Sequence, residues 1–213
     1  MSNLTVGIVD YGMGNHASVM HSLKGMAFKV RISADQQVLD NTDILILPGV
    51  GAFPAAMQAL RDRGLVSYLQ KQAEMQRPMI GICLGMQLLT TASYEFEYTL
   101  GLDFIEGEIV PLTASKWHIG WNEIKCLQQD SLIQLSDDQA FYFNHSFTYQ
   151  GADKYQIAIA QHTQEIAAVI RSGNIVGVQF HPEKSQVAGH SLLKNLILGL
   201  IDAKEAIDWS CHS

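Results

Sequence analysis

The stretch that most constrains this 213-residue chain is Gly81-Ile82-Cys83-Leu84-Gly85, which closes an apolar run beginning at Pro78. Glycines placed two residues either side of a cysteine let the backbone turn so tightly that the central side chain stands clear of the bend. Such a bend joins a buried strand to a helix packed on the same sheet, so the motif predicts an α/β fold. The flanking patterns agree. Segments 4–9, 28–32, 43–47 and 78–82 read as short buried strands, and helical spacing occupies 16–26, 53–76 with a break at Gly64, and 86–92. Strand alternating with helix implies a parallel sheet covered on both faces.

The second half changes character. Segments 104–111, 120–126, 140–149, 155–161, 166–171 and 175–180 read as successive strands, followed by a closing helix over 187–201 whose Leu192–Leu200 stripe belongs to the core. No repeat, low-complexity tract or Pro/Ser-rich linker interrupts the chain, so one domain over 1–213 is expected. Hydrophobic residues make up 47% and charged residues 16%, enough apolar surface for a full core without staples. The net charge of -7 and the lack of a basic block argue against nucleic acid as a partner. Cys83, Cys126 and Cys211 show no CxxC spacing, so neither a disulfide framework nor a zinc site is expected. No metal and no cofactor are called for. The start lacks a secretory pattern and no apolar run approaches a membrane span, so a cytoplasmic setting is expected, with no membrane partner.

Most free cysteines are inert, small and buried, and residue type alone would place Cys83 among them. Its context reverses that reading. At a helix N-terminus the unpaired N–H groups favour a thiolate, and the N–H of Leu84 can face an oxyanion. Pro48-Gly49-Val50-Gly51 ends a neighbouring strand and can bring a second donor to the same place. A cysteine nucleophile also needs a base and a group to orient that base. Among eight histidines, His181 is singled out because it ends an apolar strand and is followed by Pro182-Glu183. Extended backbone would put His181 and Glu183 on one side, with Pro182 stopping the ladder. Gly12-Met13-Gly14 is not a dinucleotide fingerprint, because Ala17 stands where the third glycine is needed.

Six blocks, in order, carry a resemblance. Asp10-Tyr11-Gly12-Met13-Gly14-Asn15, Pro48-Gly49-Val50-Gly51-Ala52-Phe53, Gly81-Ile82-Cys83-Leu84-Gly85-Met86-Gln87, His118-Ile119-Gly120-Trp121-Asn122, Tyr142-Phe143-Asn144-His145-Ser146 and His181-Pro182-Glu183-Lys184-Ser185 span nearly the whole chain. Together they resemble the class I, triad-type glutamine amidotransferases, and within them the glutaminase subunits of imidazole glycerol phosphate synthases. The resemblance implies a flavodoxin-like three-layer sandwich, its central sheet mostly parallel, with additional antiparallel strands in the second half. It implies a catalytic triad of Cys83, His181 and Glu183, with an oxyanion hole from the N–H groups of Val50 and Leu84. Glutamine is the implied substrate, with Gly49, Gly51, Gln87, His145 and Ser146 around it. The implied partner is a (β/α)8-barrel cyclase that receives ammonia in histidine biosynthesis, met near Asn15, Trp121 and Lys184. A ligand in that barrel would switch the glutaminase on by reorienting the Gly49–Val50 peptide.

The chain departs from the family pattern where Lys116-Trp117 replaces a proline, and at Asn144 and Phe147. These departures keep open a paralogue that supplies ammonia for amination of a nucleotide-linked sugar acid in surface polysaccharide synthesis. A stand-alone cysteine hydrolase and a non-catalytic binding module are the readings from other classes. On residue type alone His118, Trp121 and Tyr142 also fit plain core or strand-face positions.

Overall fold

Alternating burial along the strands sets the architecture. The computed structural model describes residues 4–133 and 139–210. The first half runs β1 (Thr5–Val9), α1 (His16–Gly25), β2 (Lys29–Ser33), α2 (Gln36–Asp40), β3 (Ile44–Gly49), α3 (Phe53–Asp62), α4 (Leu65–Glu74), β4 (Met79–Cys83) and α5 (Leu84–Leu88). There follow β5 (Thr90–Ser93), β6 (Thr99–Leu100), β7 (Ile105–Pro111), β8 (His118–Cys126), β9 (Ala140–His145) and β10 (Phe147–Gln150). The chain closes with β11 (Gln156–Gln161), β12 (Glu165–Ser172), β13 (Ile175–Val178) and α6 (Gln186–Ser210).

A nine-stranded sheet has the order β2-β1-β3-β4-β13-β12-β11-β8-β9. From β2 to β13 neighbours run parallel, and from β13 to β9 they run antiparallel. In the parallel part successive residues feed opposite cores, as the two-residue period of a strand requires. Val6, Ile8, Ile44, Ile46, Ile80 and Ile82 join Leu23 of α1 and Leu192, Leu193, Leu196, Ile197 and Leu200 of α6 on one face. Val9, Leu45, Leu47 and Met79 meet α3, α4 and α5 on the other, together with Ile105, Ile109 and Tyr149 from a four-stranded sheet of order β10-β7-β5-β6. This is the expected α/β sandwich.

The predicted break at Gly64 is a left-handed residue, φ 65°, between α3 and α4. Other local expectations need correction. The helix expected over 86–92 stops at Leu88, and β5 begins at Thr90. There Thr90 and its neighbours pair with β7, and the Thr90 hydroxyl donates to the Gln87 carbonyl at 2.8 Å, closing the helix. The strand expected over 140–149 is divided at Ser146, with β9 in the large sheet and β10 in the small one. The strand expected over 175–180 ends at Val178, and Pro182–Lys184 forms a single 3₁₀ turn. Two short elements, α2 and β6, carry too little pattern to be read from sequence. Among the described residues no helix is long and apolar enough to cross a membrane. Cys83 and Cys126 are free, and Cys211 lies outside the described residues.

Candidate active site

Three neighbouring strands of the parallel sheet converge on Cys83. It is the last residue of β4, paired with Gly49 of β3 on one side, while β13 on the other leads into His181. Cys83 has φ 56° and ψ -112°, a conformation that costs about 1–3 kcal/mol for a residue with a Cβ. The two glycines of the motif exist because backbone presses against both. A Cβ on Gly85 would lie 1.7 Å from the Leu47 carbonyl oxygen, and one on Gly81 would lie 2.6 Å from the Gly85 carbonyl oxygen. Gly49 is as confined, with the Gly85 nitrogen and the Tyr11 hydroxyl each 2.7 Å from where its Cβ would be. Tyr11 in turn donates to the Pro48 carbonyl at 2.8 Å, clamping the end of β3.

His181 is buried and lines the same cavity as Cys83, and its Nδ1 is 2.9 Å from the Glu183 carboxylate. Burial alone would pull this imidazole down. The interactions with Cys83 and Glu183 outweigh burial and raise it to about 10, which suits the ring to take up a proton. The Glu183 side chain is only 1% exposed, which keeps water from competing for the pair. The His–Glu contact is made differently from expectation. Instead of lying along one strand, the two side chains meet across the 3₁₀ turn. Ser185 locks that turn, donating to the His181 carbonyl at 2.7 Å and accepting from the Tyr142 N–H at 2.9 Å.

Cys83 and His181 open on a cavity of about 280 Å³, also lined by Val50, Gly51, Leu84, Gln87, His145, Ser146 and Lys184. Leu84 is the first residue of α5, so its N–H has no acceptor within the helix. The Val50 N–H is engaged elsewhere, donating to the Met13 carbonyl at 3.4 Å. Gly49 sits opposite Cys83 in the β3–β4 pairing. The Asn15 side chain caps α1, accepting from the Ser18 N–H at 3.4 Å. Trp121 is about half exposed on β8, packed edge-on to Tyr142 at 6.0 Å, with the Lys184 ammonium 5.9 Å above the Tyr142 ring.

Further groups face this cavity beyond those the sequence motifs point to. Glu95 lines it, with its carboxylate accepting from the Phe53 N–H at the start of α3, at 2.7 Å. Burial raises the Glu95 carboxyl while that N–H pulls it back. The Asn144 carbonyl lies 3.9 Å from the Cys83 sulfur, as does the side-chain nitrogen of Gln179. Glu95 has no signal in the sequence, whereas Gln179 is the one amide in an apolar strand pattern.

The model of the family described as glutamine amidotransferase class-I matches residues 7–200. The chain belongs to the class-I glutamine amidotransferases. It is 40% identical to the imidazole glycerol phosphate synthase subunit HisH of Carboxydothermus hydrogenoformans over 89% of this chain and 96% of that one. The protein of the same description from Bacillus cereus is 38% identical, covering 93% and 96%. The fold is similar to the structure of PurLQS from Thermotoga maritima, with a TM-score of 0.73 at 19% identity, covering 93% of this chain and all of that one. A glutamine amidotransferase structure from Thermotoga maritima gives 0.60 at 14% identity, covering 98% and 86%.

One wall of the amidotransferase cavity is braced by a directed chain of hydrogen bonds. The Phe147 carbonyl can only accept, so His145 Nδ1, 2.7 Å away, carries the proton. His145 Nε2 then accepts from His118 Nδ1 at 3.0 Å, and His118 Nε2 accepts from the Asn122 amide at 3.3 Å. Both rings are neutral in this arrangement. Burial first, with the neighbouring His162 adding to it, lowers His118 to about 4. Burial likewise outweighs the Phe147 hydrogen bond and brings His145 to about 4. Between about pH 4 and 6.5 the unfolded chain therefore binds protons here that the fold refuses. Stability is retained above pH 6.5 and falls as pH drops toward 4. Urea melts at stepped pH should show this slope, reduced in His118→Asn. An equal slope in the variant would contradict the neutral pair.

Proposed function

We propose that this amidotransferase is the glutaminase subunit of an imidazole glycerol phosphate synthase. In this reading it hydrolyses glutamine to glutamate and ammonia, and passes the ammonia to a (β/α)8-barrel cyclase of cytoplasmic histidine biosynthesis. One observation carries the reading: relatives so described match nearly end to end at about two residues in five, and Cys83, His181 and Glu183 share one polar cavity.

The chemistry follows from the groups present. Cys83 gives its proton to His181 and attacks the carbonyl carbon of the glutamine amide, forming a carbon–sulfur bond and placing the charge on oxygen. The Leu84 N–H faces that oxygen. His181, held through Nδ1 by Glu183, returns the proton to the departing nitrogen, and ammonia leaves as the thioester forms. Water activated by the same imidazole then cleaves the thioester, releasing glutamate and restoring the thiol. Glu95 offers a buried carboxylate to the ammonium of the substrate's amino-acid end, while Gln87, His145 and Ser146 line the walls.

The arrangement holds the catalyst in check. With its N–H given to Met13, Val50 supplies no second donor to the oxyanion until the Gly49–Val50 peptide turns. Trp117, Ile119, Trp121 and Val187 are 51–79% exposed, an apolar surface suited to the barrel partner. Lys184 at the cavity edge and the loop that ends at Asn15 would adjoin it, the latter linked to the oxyanion strand through Met13. The departures in sequence spare the chemistry: Asn144 faces the sulfur through its main-chain carbonyl, and Trp117 is 60% exposed. They bear only on which acceptor the partner presents, including the nucleotide-linked sugar acid.

Purified with its cyclase, the chain should release ammonia from glutamine roughly 10–100-fold faster when the barrel's own ligand is added. Full activity of the isolated chain would favour a stand-alone hydrolase. Stimulation only by a partner that aminates sugar acids would move the acceptor to that pathway.

A further inference from the structure

Gln179 lies on the stretch between β13 and His181, is fully buried, and carries the one polar side chain in an otherwise apolar run. Its orientation is fixed by its neighbour. The Gln87 amide nitrogen donates to Gln179 Oε1 at 3.0 Å and also reaches the Phe147 carbonyl at 3.4 Å. With Oε1 committed as acceptor, the Gln179 NH₂ group must face the other way, where it meets the Cys83 sulfur at 3.9 Å. Two buried amides are costly next to a neutral thiol, which is a weak acceptor. A leucine in place of Gln179 would pack there more cheaply. A thiolate is a good acceptor, and a charge-assisted N–H···S⁻ contact repays the burial.

We propose that Gln179, locked by Gln87, is a further residue of the catalytic centre whose amide holds the Cys83 sulfur as the thiolate that attacks substrate. The proposal rests on Cys83 being the nucleophile of the glutaminase reading, and it concerns the sulfur before any substrate arrives. The proton that leaves Sγ goes to His181, and no bond is made or broken at Gln179. The sulfur is also faced by His181 and, through it, Glu183; by Tyr11, whose hydroxyl burial and the Cys83 charge hold above its ordinary range; by the Asn144 carbonyl; and by His145, Glu95 and Lys184 around the cavity. Gln179 puts a side-chain hydrogen-bond donor on the sulfur.

The test uses the full chain with Cys126 and Cys211 replaced by alanine, so that Cys83 is the sole thiol. Its alkylation by iodoacetamide is followed by mass spectrometry across pH, with no glutamine or partner present. In Gln179→Leu the midpoint of the alkylation profile should rise by about one pH unit, a tenfold loss of thiolate at fixed pH below it. Gln179→Glu, which keeps the shape but turns an acceptor toward the sulfur, should raise it at least as far. Gln87→Ala, which frees the Gln179 amide to rotate, should shift it the same way by less, and serves if the Gln179 variants fail to fold. Folded variants that keep the parent profile would overturn the proposal. A separate outcome isolates the underlying reading: a diazoketone analogue of glutamine that leaves Cys83 unlabelled in the parent chain would defeat the glutaminase assignment, whatever the alkylation profiles show.

Discussion

Replacing Cys83 with alanine should lower glutamine hydrolysis by ~10⁴-fold or more, to background, while leaving the fold and any partner complex intact. The size of the loss follows from the arrangement at the end of β4. The cavity holds one sulfur, with His181 lining the same cavity, Glu183 behind His181, and the Leu84 N–H at the start of α5. Without the thiolate, water would have to attack an unactivated amide with no covalent intermediate. The fold survives because the substitution deletes one atom at a site that already opens on the cavity, and the remaining Cβ accepts the same φ of 56°. Ammonia release and thermal melting, measured on the same preparation, check both halves. Retained hydrolysis in a well-folded Cys83→Ala chain would remove the cysteine mechanism altogether.

The second large effect is structural. Gly85→Ala should cost about 3 kcal/mol or more, lowering the melting temperature by roughly 6–12 °C, with activity lost even in the folded fraction. The added methyl would sit 1.7 Å from the Leu47 carbonyl oxygen and 2.8 Å from its carbon. Neither neighbour is a flexible side-chain tip that can swing aside. Both belong to the backbone of β3, which is paired to β1 and β4. Relief therefore requires the first turn of α5 to lift from the sheet, and that turn carries the Leu84 N–H and sets the aim of Cys83. Calorimetry and circular dichroism would read the loss. An unshifted melting temperature would mean that the close approach of α5 to β3 is not required for folding. By contrast Gly25, where an added Cβ meets nothing within 4 Å, should accept alanine with little change.

These two sites show why part of the protein could be read in advance. The glycines at 81 and 85 answer to a short-range constraint: a strand must turn into a helix within a few residues, and only an absent Cβ allows it. The apolar alternation of β1, β3 and β4 is equally local, since each strand shows its two buried faces in its own residues. Other features have no local signature. His181 and Glu183 were recognisable as a pair, yet the contact is made over a 3₁₀ turn locked by Ser185 rather than along extended backbone. Glu95 reaches the cavity only because it caps α3, and the His118–His145 chain exists only because β8 and β9 pair at those two residues. The helix expected over 86–92 failed for a related reason: pairing with β7 claimed Thr90 and its neighbours against their helical spacing.

The sequence by itself determined the bend that presents Cys83 and the α/β layering, because sterics and burial at those positions act over a few bonds. The tertiary structure alone decided which buried amide faces the sulfur and where the Val50 N–H points. Those depend on strands far apart in the chain being paired in one register, and at Val50 on a peptide whose present partner is the Met13 carbonyl.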